Sequence, residues 1–161
     1  MKGKFSRSEA EKNLLYVQNH LEGCGRLKCC GSFRRGLKKV GDLDFVVTHK
    51  NQDHPDVLIS SIRSLGEVIC GGQKKISISL SNEMQCDFYL APGRLFESYC
   101  LFLTGSKAFN IKCRQVAKTL GFRLSEYGLR NSEGIEYATS ELGILEILGM
   151  SEYADPKLRS L

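Results

Sequence analysis

Three carboxylates and one glycine-rich turn carry the residue types in this chain that can do chemistry together. Asp42 and Asp44 stand at i and i+2 in Gly41-Asp42-Leu43-Asp44-Phe45-Val46-Val47, an otherwise apolar run. Side chains alternate along a strand, so the two carboxylates share one face while Leu43 and Phe45 turn to the core. Parallel carboxylates repel unless a cation sits between them. Upstream, Gly31-Ser32-Phe33-Arg34-Arg35-Gly36 offers a loop with glycines for close backbone approach, a hydroxyl, and planar guanidinium donors, which suits phosphate. Downstream, in Met84-Gln85-Cys86-Asp87-Phe88-Tyr89-Leu90, alternation puts Cys86, Phe88 and Leu90 on one face and Asp87 on the other, with Gln85 and Tyr89. If the two strands are neighbours, three carboxylates converge, enough to hold two magnesium ions about 3.5–4 Å apart. One ion would lower the pKa of an attacking hydroxyl, and the other would hold a triphosphate and its leaving group.

The elements that must position these groups follow from periodicity. Ala10, Leu14, Val17 and Leu21 recur with helical spacing, predicting an N-terminal helix that ends near Gly23. Leu27–Cys30 reads as a short strand, Leu43–Thr48 as the strand of the paired carboxylates, and Pro55–Leu65 as a helix with proline at its start. Val68–Cys70 and Lys75–Leu80 form a hairpin around Gly71-Gly72, and Met84–Leu90 is the strand of the third carboxylate. Ala91-Pro92-Gly93 punctuates the chain, and a subdomain boundary is expected there, dividing it into 1–92 and 93–161. Beyond it come helices over Leu95–Leu103 and Ser106–Leu120, a strand pair within Arg123–Tyr137, and a helix over Ser140–Leu148. The second of these helices carries an apolar stripe of Phe109, Cys113, Val116, Ala117 and Leu120, with Asn110, Arg114 and Lys118 on its opposite side.

Composition agrees with a soluble globular protein: 42% apolar and 25% charged residues, and no apolar run near the roughly 18 residues of a membrane span. The net charge of +5 is unevenly spread. Six basic residues against one acid lie between Lys107 and Arg130, and six acids without a Lys or Arg follow from Asn131 to Asp155. Such polarity would turn one part of the C-terminal half toward a polyanion. Seven cysteines, without a Cys-x-x-Cys pair, read as reduced small hydrophobes, and His20, His49 and His54, which lack ligand spacing, as surface residues.

Taken together, these motifs resemble the family X DNA polymerases, the group that includes DNA polymerase beta, within the nucleotidyltransferase superfamily. Gly31-Ser32-Phe33-Arg34-Arg35-Gly36 and Gly41-Asp42-x-Asp44 match the family's nucleotide- and metal-binding motifs at this spacing. The match runs on through Leu103-Thr104-Gly105-Ser106-x-x-Phe109-Asn110, Arg114, Gly121-Phe122 and Glu126-Tyr127-Gly128-Leu129-Arg130 to Ser140-Glu141 and Asp155-Pro156-Lys157-x-Arg159. The resemblance implies an α+β fold with a nucleotidyltransferase palm, a mixed and mostly antiparallel sheet with helices on one face, over 1–92. A small α/β C-terminal subdomain contacting nucleotide and template would follow over 93–161.

By the same resemblance Asp42, Asp44 and Asp87 would bind two Mg²⁺, which Mn²⁺ could replace, and perform the transfer. Gly31, Ser32, Arg35, Gly41, Phe102, Leu103, Thr104, Gly105 and Asn110 would hold the deoxynucleoside triphosphate. Lys75, Arg114, Tyr127 and Arg130 would contact DNA. The implied activity is template-directed addition of deoxynucleotides to a primer 3′-hydroxyl on primer-template or gapped DNA. Short-gap filling in repair is the implied use, by an intracellular monomer that does not engage a membrane. Nucleus, cytoplasm and a viral factory or virion are not distinguished. No room is expected for the lyase domain of larger members, so no lyase step is expected, as in the reduced enzymes of some large DNA viruses. A template-independent terminal transferase or RNA-tailing enzyme would share the metal chemistry, as would a small-molecule nucleotidyltransferase. A non-enzymatic DNA-binding protein would have no use for all three carboxylates.

Two departures from the family pattern carry expectations of their own. Phe102-Leu103 replaces the usual Tyr-Phe pair beneath the sugar, which would loosen exclusion of a 2′-hydroxyl. Gln85 stands where an Arg is common, so Asp87 is expected to have a less depressed pKa.

Overall fold

The computed structural model describes residues 4–49 and 55–161, with the side chain of His49 also outside the description; His54 lies outside the described residues. In chain order the elements begin with β1 (Phe5–Ser6), α1 (Arg7–His20), β2 (Gly25–Cys29), α2 (Gly31–Arg34), β3 (Lys39–Val40), β4 (Asp42–His49) and α3 (Asp56–Arg63). They continue with β5 (Glu67–Gly71), β6 (Lys75–Ser79), β7 (Gln85–Leu90), a 3-10 turn at Gly93–Leu95, α4 (Phe96–Thr104) and α5 (Lys107–Thr119). The remainder comprises β8 (Phe122–Ser125), β9 (Gly128–Asn131), β10 (Glu136–Ala138), α6 (Glu141–Ile147) and 3-10 turns at Ser151–Ala154 and Pro156–Arg159.

Five strands form a sheet in the order β2-β4-β7-β6-β5. Only β4 and β7 pair in parallel within it; the other three pairings are antiparallel. The sheet is therefore mixed and mostly antiparallel, as expected. Leu43, Phe45, Val47, Ile76, Ile78, Cys86 and Phe88 turn to one face, where Ala10, Val17 and Leu21 of the α1 region and Leu58 and Ile62 of α3 cover them. Phe45 and Phe88, partners in the β4–β7 register, stack with centroids 4.9 Å apart and planes 10° from parallel. Helix α1 starts cleanly because Ser6 and Glu9 form a capping box, each side chain bonded to the other's backbone amide.

On the opposite face Val46 lies fully buried with Cys30, Leu95, Phe96, Tyr99 and Cys100, so α4 packs beside the carboxylate strand. A third cluster joins Leu101, Phe109, Cys113, Ala117, Leu129, Ile144 and Leu145 from α4, α5, β9 and α6.

The structure corrects three local expectations and adds one strand pairing. Residues 31–34 make one helical turn rather than an open loop. Phe5–Ser6 pairs with Lys39–Val40 in a ribbon that alternation over two residues could not announce. The C-terminal strand pair is a three-stranded sheet, β10-β9-β8, because the Asn131 side chain accepts from the amides of Glu133 and Ile135 and folds the chain back once more. Leu120 is half exposed rather than core, since it caps α5 and leaves the helical stripe. Among the described residues, no helix is long and apolar enough to cross a membrane.

Candidate active site

The β4–β7 register places Asp44 directly beside Asp87 and Asp42 beside Gln85, so the three carboxylates share one face on neighbouring strands. The turn of α2 leans on this face. The Cys30 amide donates to the Asp44 carbonyl at 2.7 Å, and Gly31 turns with φ +60°. A Cβ at residue 31 would stand 2.3 Å from Asp44 Oδ2, so only glycine fits there. Gly31→Ala is expected to displace the Asp44 carboxylate and cut activity by ~10²-fold or more with a small loss of Tm, a combination checked by kinetics beside thermal melting.

The electrostatics of the three acids differ. Burial, then the charges of Asp42 and Asp87, push Asp44 up to about 7 against the opposing pull of Lys75 and Arg35. Asp87 goes the other way. Burial raises it, but hydrogen bonds from Lys75, Ser77 and Gln85 and the Lys75 charge outweigh that and hold it below the usual carboxylate range. As expected of an amide at this position, Gln85 Nε2 donates to Asp87 Oδ1 at 2.8 Å without bringing charge, and a charge reaches the other oxygen from Lys75, whose Nζ lies 2.7 Å from Asp87 Oδ2.

Among the described residues, no three His, Cys, Asp or Glu side chains are gathered so that they could hold a metal ion as they stand. The donor set nevertheless fits a hard divalent cation. All three acids are oxygen ligands on one face of adjacent strands, and Asp44, disfavoured as an anion by burial first and by its acidic neighbours second, is a group that a bound cation would favour in its charged form. A carboxylate raised by its folded surroundings binds protons more tightly in the native state, so it lowers stability as the pH climbs from about 4 through 7. Asp44→Asn should therefore stabilise the chelator-treated protein by roughly 2 kcal/mol at pH 8. That gain should vanish near pH 4, as melting curves across the two pH values would read.

Beside the acids opens a cleft of about 460 Å³. Gly31, Ser32, Arg35, Asp42, Asp44, Phe102, Leu103, Gly105, Asn110 and Arg114 line it, so most of the expected site residues converge. The Arg35 guanidinium donates to the Thr104 carbonyl and, through Nε, to Ser160 Oγ at 3.3 Å. Asn110 Nδ2 donates to the Phe102 carbonyl at 2.7 Å, tying α5 to the end of α4. Ser106 caps α5 by accepting from the Phe109 amide.

Other expected residues stand outside the cleft lining. Gly41 faces open space. The Thr104 side chain is fully buried, donating to the Cys100 carbonyl at 2.6 Å and accepting from Arg34 at 2.8 Å, so it anchors the turn from within. Lys75 lies in β6 on Asp87 rather than at a hairpin tip. Tyr127, between β8 and β9, sits edge-on to Tyr99, and Arg130 of β9 reaches Glu136 at 3.5 Å.

Arg34, read from sequence with Arg35 as a phosphate donor, instead clasps Glu141 with both terminal nitrogens, at 2.9 and 2.8 Å. Arg159, fully buried, bonds the same carboxylate at 2.5 Å and the carbonyls of Tyr153 and Ala154. This ionic clasp joins α2, beside the acids, to α6 and the C-terminal turn.

Residues 4–88 match the family model described as DNA polymerase beta palm, and residues 99–160 match that described as DNA polymerase beta thumb. The chain belongs to the DNA polymerase beta family, family X. It is 38% identical over 114 residues to the DNA polymerase/3′-5′ exonuclease PolX of Bacillus subtilis (strain 168), covering 68% of this chain and 20% of that protein. It is 29% identical over 160 residues to DNA polymerase lambda of Rattus norvegicus, covering 81% of this chain and 28% of that protein. With DNA polymerase lambda of Arabidopsis thaliana it shares 28% identity over 123 residues, 63% of this chain and 23% of that protein. The chain thus spans about a quarter of the length of these family X relatives.

Within the family X frame, the palm match contains all three acids and α2, and the thumb match contains the Phe102–Arg114 wall of the cleft. Sequence reasoning missed Ser106 and Lys107 in that wall, although a basic residue just after Gly105-Ser106 was a visible signal. It also missed the clasp, because no local spacing pairs Arg34 with an acid 107 positions away.

Proposed function

We propose that this chain is the nucleotidyl-transfer unit of a template-directed DNA polymerase, adding deoxynucleotides to a primer 3′-hydroxyl. The observation that carries the reading is the in-register pairing of Asp44 with Asp87 beside a cleft lined by Ser32 and Arg35. In this reading Asp42, Asp44 and Asp87 hold two Mg²⁺, or Mn²⁺ in their place. Bound there, the ions would supply Lewis acidity to the attacking hydroxyl and the departing pyrophosphate.

The chain's own groups do the rest. Ser32, Arg35 and the Gly31 backbone, all in the cleft lining, hold the β- and γ-phosphates. The planar fork of Arg35 grips two phosphate oxygens at once. Phe102-Leu103 lies beneath the sugar, and Asn110 and Arg114, one turn apart on α5, meet the minor-groove edges of nucleotide and template. Those edges offer similarly placed acceptors in every base pair, so such contacts test pair shape rather than sequence. Tyr127 and Arg130 are assigned to DNA, while Lys75, which the resemblance gave to DNA, is engaged on Asp87 instead. The palm is taken as 1–92 and the nucleotide- and template-contacting subdomain as 93–161. Short-gap filling in repair, by an intracellular monomer, is the use this reading favours.

Arg35→Ala is expected to raise the nucleotide KM ~10-fold with little change in kcat, since the lost fork grips phosphate in ground and transition states alike. Steady-state kinetics in nucleotide concentration reads the split. The decisive experiment offers the protein magnesium, each nucleoside triphosphate in turn, and a labelled primer in a one-nucleotide gap, on an open template, or alone. Addition of the complementary deoxynucleotide only, and only with template, supports the proposal. Indiscriminate tailing of the lone primer would replace it with the template-independent alternative, and no addition anywhere would sink it.

A further inference from the structure

Asp87 is held from the side of β7 away from the other acids. Strand β6 pairs with β7 so that Ser77 faces Asp87 and Lys75 faces Tyr89. Lys75 therefore lies one same-face position along from Asp87's own partner, close enough for its ammonium to reach Oδ2 at 2.7 Å. The ammonium also sits 5.0 Å from the centre of the Tyr89 ring, whose face favours a cation. On the other oxygen, Gln85 Nε2 donates to Oδ1 at 2.8 Å. A carboxylate gripped at both oxygens from two directions has its plane fixed. It also needs to be, because Asp44 stands beside it on β4. Two like charges on adjacent in-register strands push apart. The 8% exposed Asp87 side chain has little water to screen that push.

We propose that Lys75 is the positioning residue of this site: its ammonium, braced on Tyr89, counters the Asp44 charge and fixes the Asp87 carboxylate in the plane needed for the transfer. The inference rests on the nucleotidyl-transfer reading and deepens it. It separates Lys75 from an ordinary phosphate-contacting lysine. A positive charge on this face is required, and its source can be moved. The neighbouring side chain at 85, already bonded to the same carboxylate, is the place to move it.

The test compares wild type, Lys75→Met, Lys75→Arg and the double variant Lys75→Met/Gln85→Arg. Single-turnover extension is measured beside the Kd for a dideoxy-terminated primer-template without magnesium, taken at several salt concentrations. Lys75 is 40% exposed on its side chain, so its replacement should leave the fold intact, which melting curves check. The expected result is a fall in the extension rate of ~10–100-fold for Lys75→Met, with nucleotide KM, DNA Kd and salt slope near wild type. Lys75→Arg should keep most of the rate, and adding Gln85→Arg to Lys75→Met should restore most of it.

Three results would overturn the proposal: an unchanged rate in Lys75→Met, a lost rate that Gln85→Arg does not restore, or weaker DNA binding with a salt slope lower by about one and the rate preserved, the mark of a phosphate contact. Absence of extension by the wild type would remove the polymerase reading and this inference with it. A working wild type beside an unaffected Lys75→Met removes the inference alone.

Discussion

Replacing Asp87 by alanine is expected to end primer extension, lowering the rate by at least ~10³-fold, while magnesium-nucleotide binding in the cleft survives. The geometry divides the roles. Asp42 and Asp44 line the cleft with Ser32 and Arg35, whereas Asp87 lies outside that lining, on the strand farther from α2. In the proposed reading, nucleotide affinity rests on groups the substitution leaves alone, and the primer hydroxyl would lose its carboxylate. The fold should tolerate the change, because the Lys75 ammonium left behind is 40% exposed on its side chain and can turn to water. Extension assays paired with nucleotide titration check the division. Equal loss of both in Asp87→Ala would show that the three acids act as one binding unit.

The second large effect is on stability. Glu141→Ala should cost about 3–5 kcal/mol and lower Tm by roughly 10 °C, because it leaves buried guanidinium charge without its partner. Arg159 would bear most of that loss, being itself inaccessible to water, and Arg34 is largely buried too. The same clasp imposes a pH dependence. Burial pushes Glu141 up, but Arg34 and Arg159 more than reverse this and hold it below the ordinary glutamate value. A carboxylate depressed by folding contributes its stability above its unfolded pKa, near 4.5, and loses it as the pH falls through the lower folded value. The deficit of Glu141→Ala relative to wild type should accordingly be full at pH 7 and shrink steadily below pH 4.5, as melting curves at matched ionic strength would show.

How much of this was legible beforehand depended on range. Alternation alone put Leu43, Phe45, Cys86 and Phe88 in the core and Asp42, Asp44 and Asp87 on the face away from it, and the structure agrees residue by residue. Helical stripes were legible for the same reason, as in Phe109, Cys113 and Ala117 of α5, and failed only at Leu120, where the helix ends. The neighbouring of β4 and β7 was a condition, not a reading, because strand order is set by tertiary packing. Contacts between distant charges were illegible. The Lys75–Asp87 pair needs the β6–β7 register, and the Arg34–Glu141–Arg159 clasp needs the whole C-terminal subdomain in place. Both reassigned a basic residue from a solvent-facing partner to a carboxylate within the protein.

The single parallel pairing in the sheet also has a bearing on when the protein becomes chemically competent. Asp42 and Asp44 lie on a strand paired with its near neighbour in sequence, β2, whereas the third acid lies on β7, which the chain reaches only after α3 and the β5–β6 hairpin, on returning to lie along β4. Closing so wide a loop is the slow kind of step in folding. The two-acid face and the α2 turn belong to β4 and its sequence-local neighbours, whereas the third acid depends on the β4–β7 pairing. The long crossover ties the complete set of three acids to a complete central sheet: without β7 beside β4 there is no third carboxylate on that face.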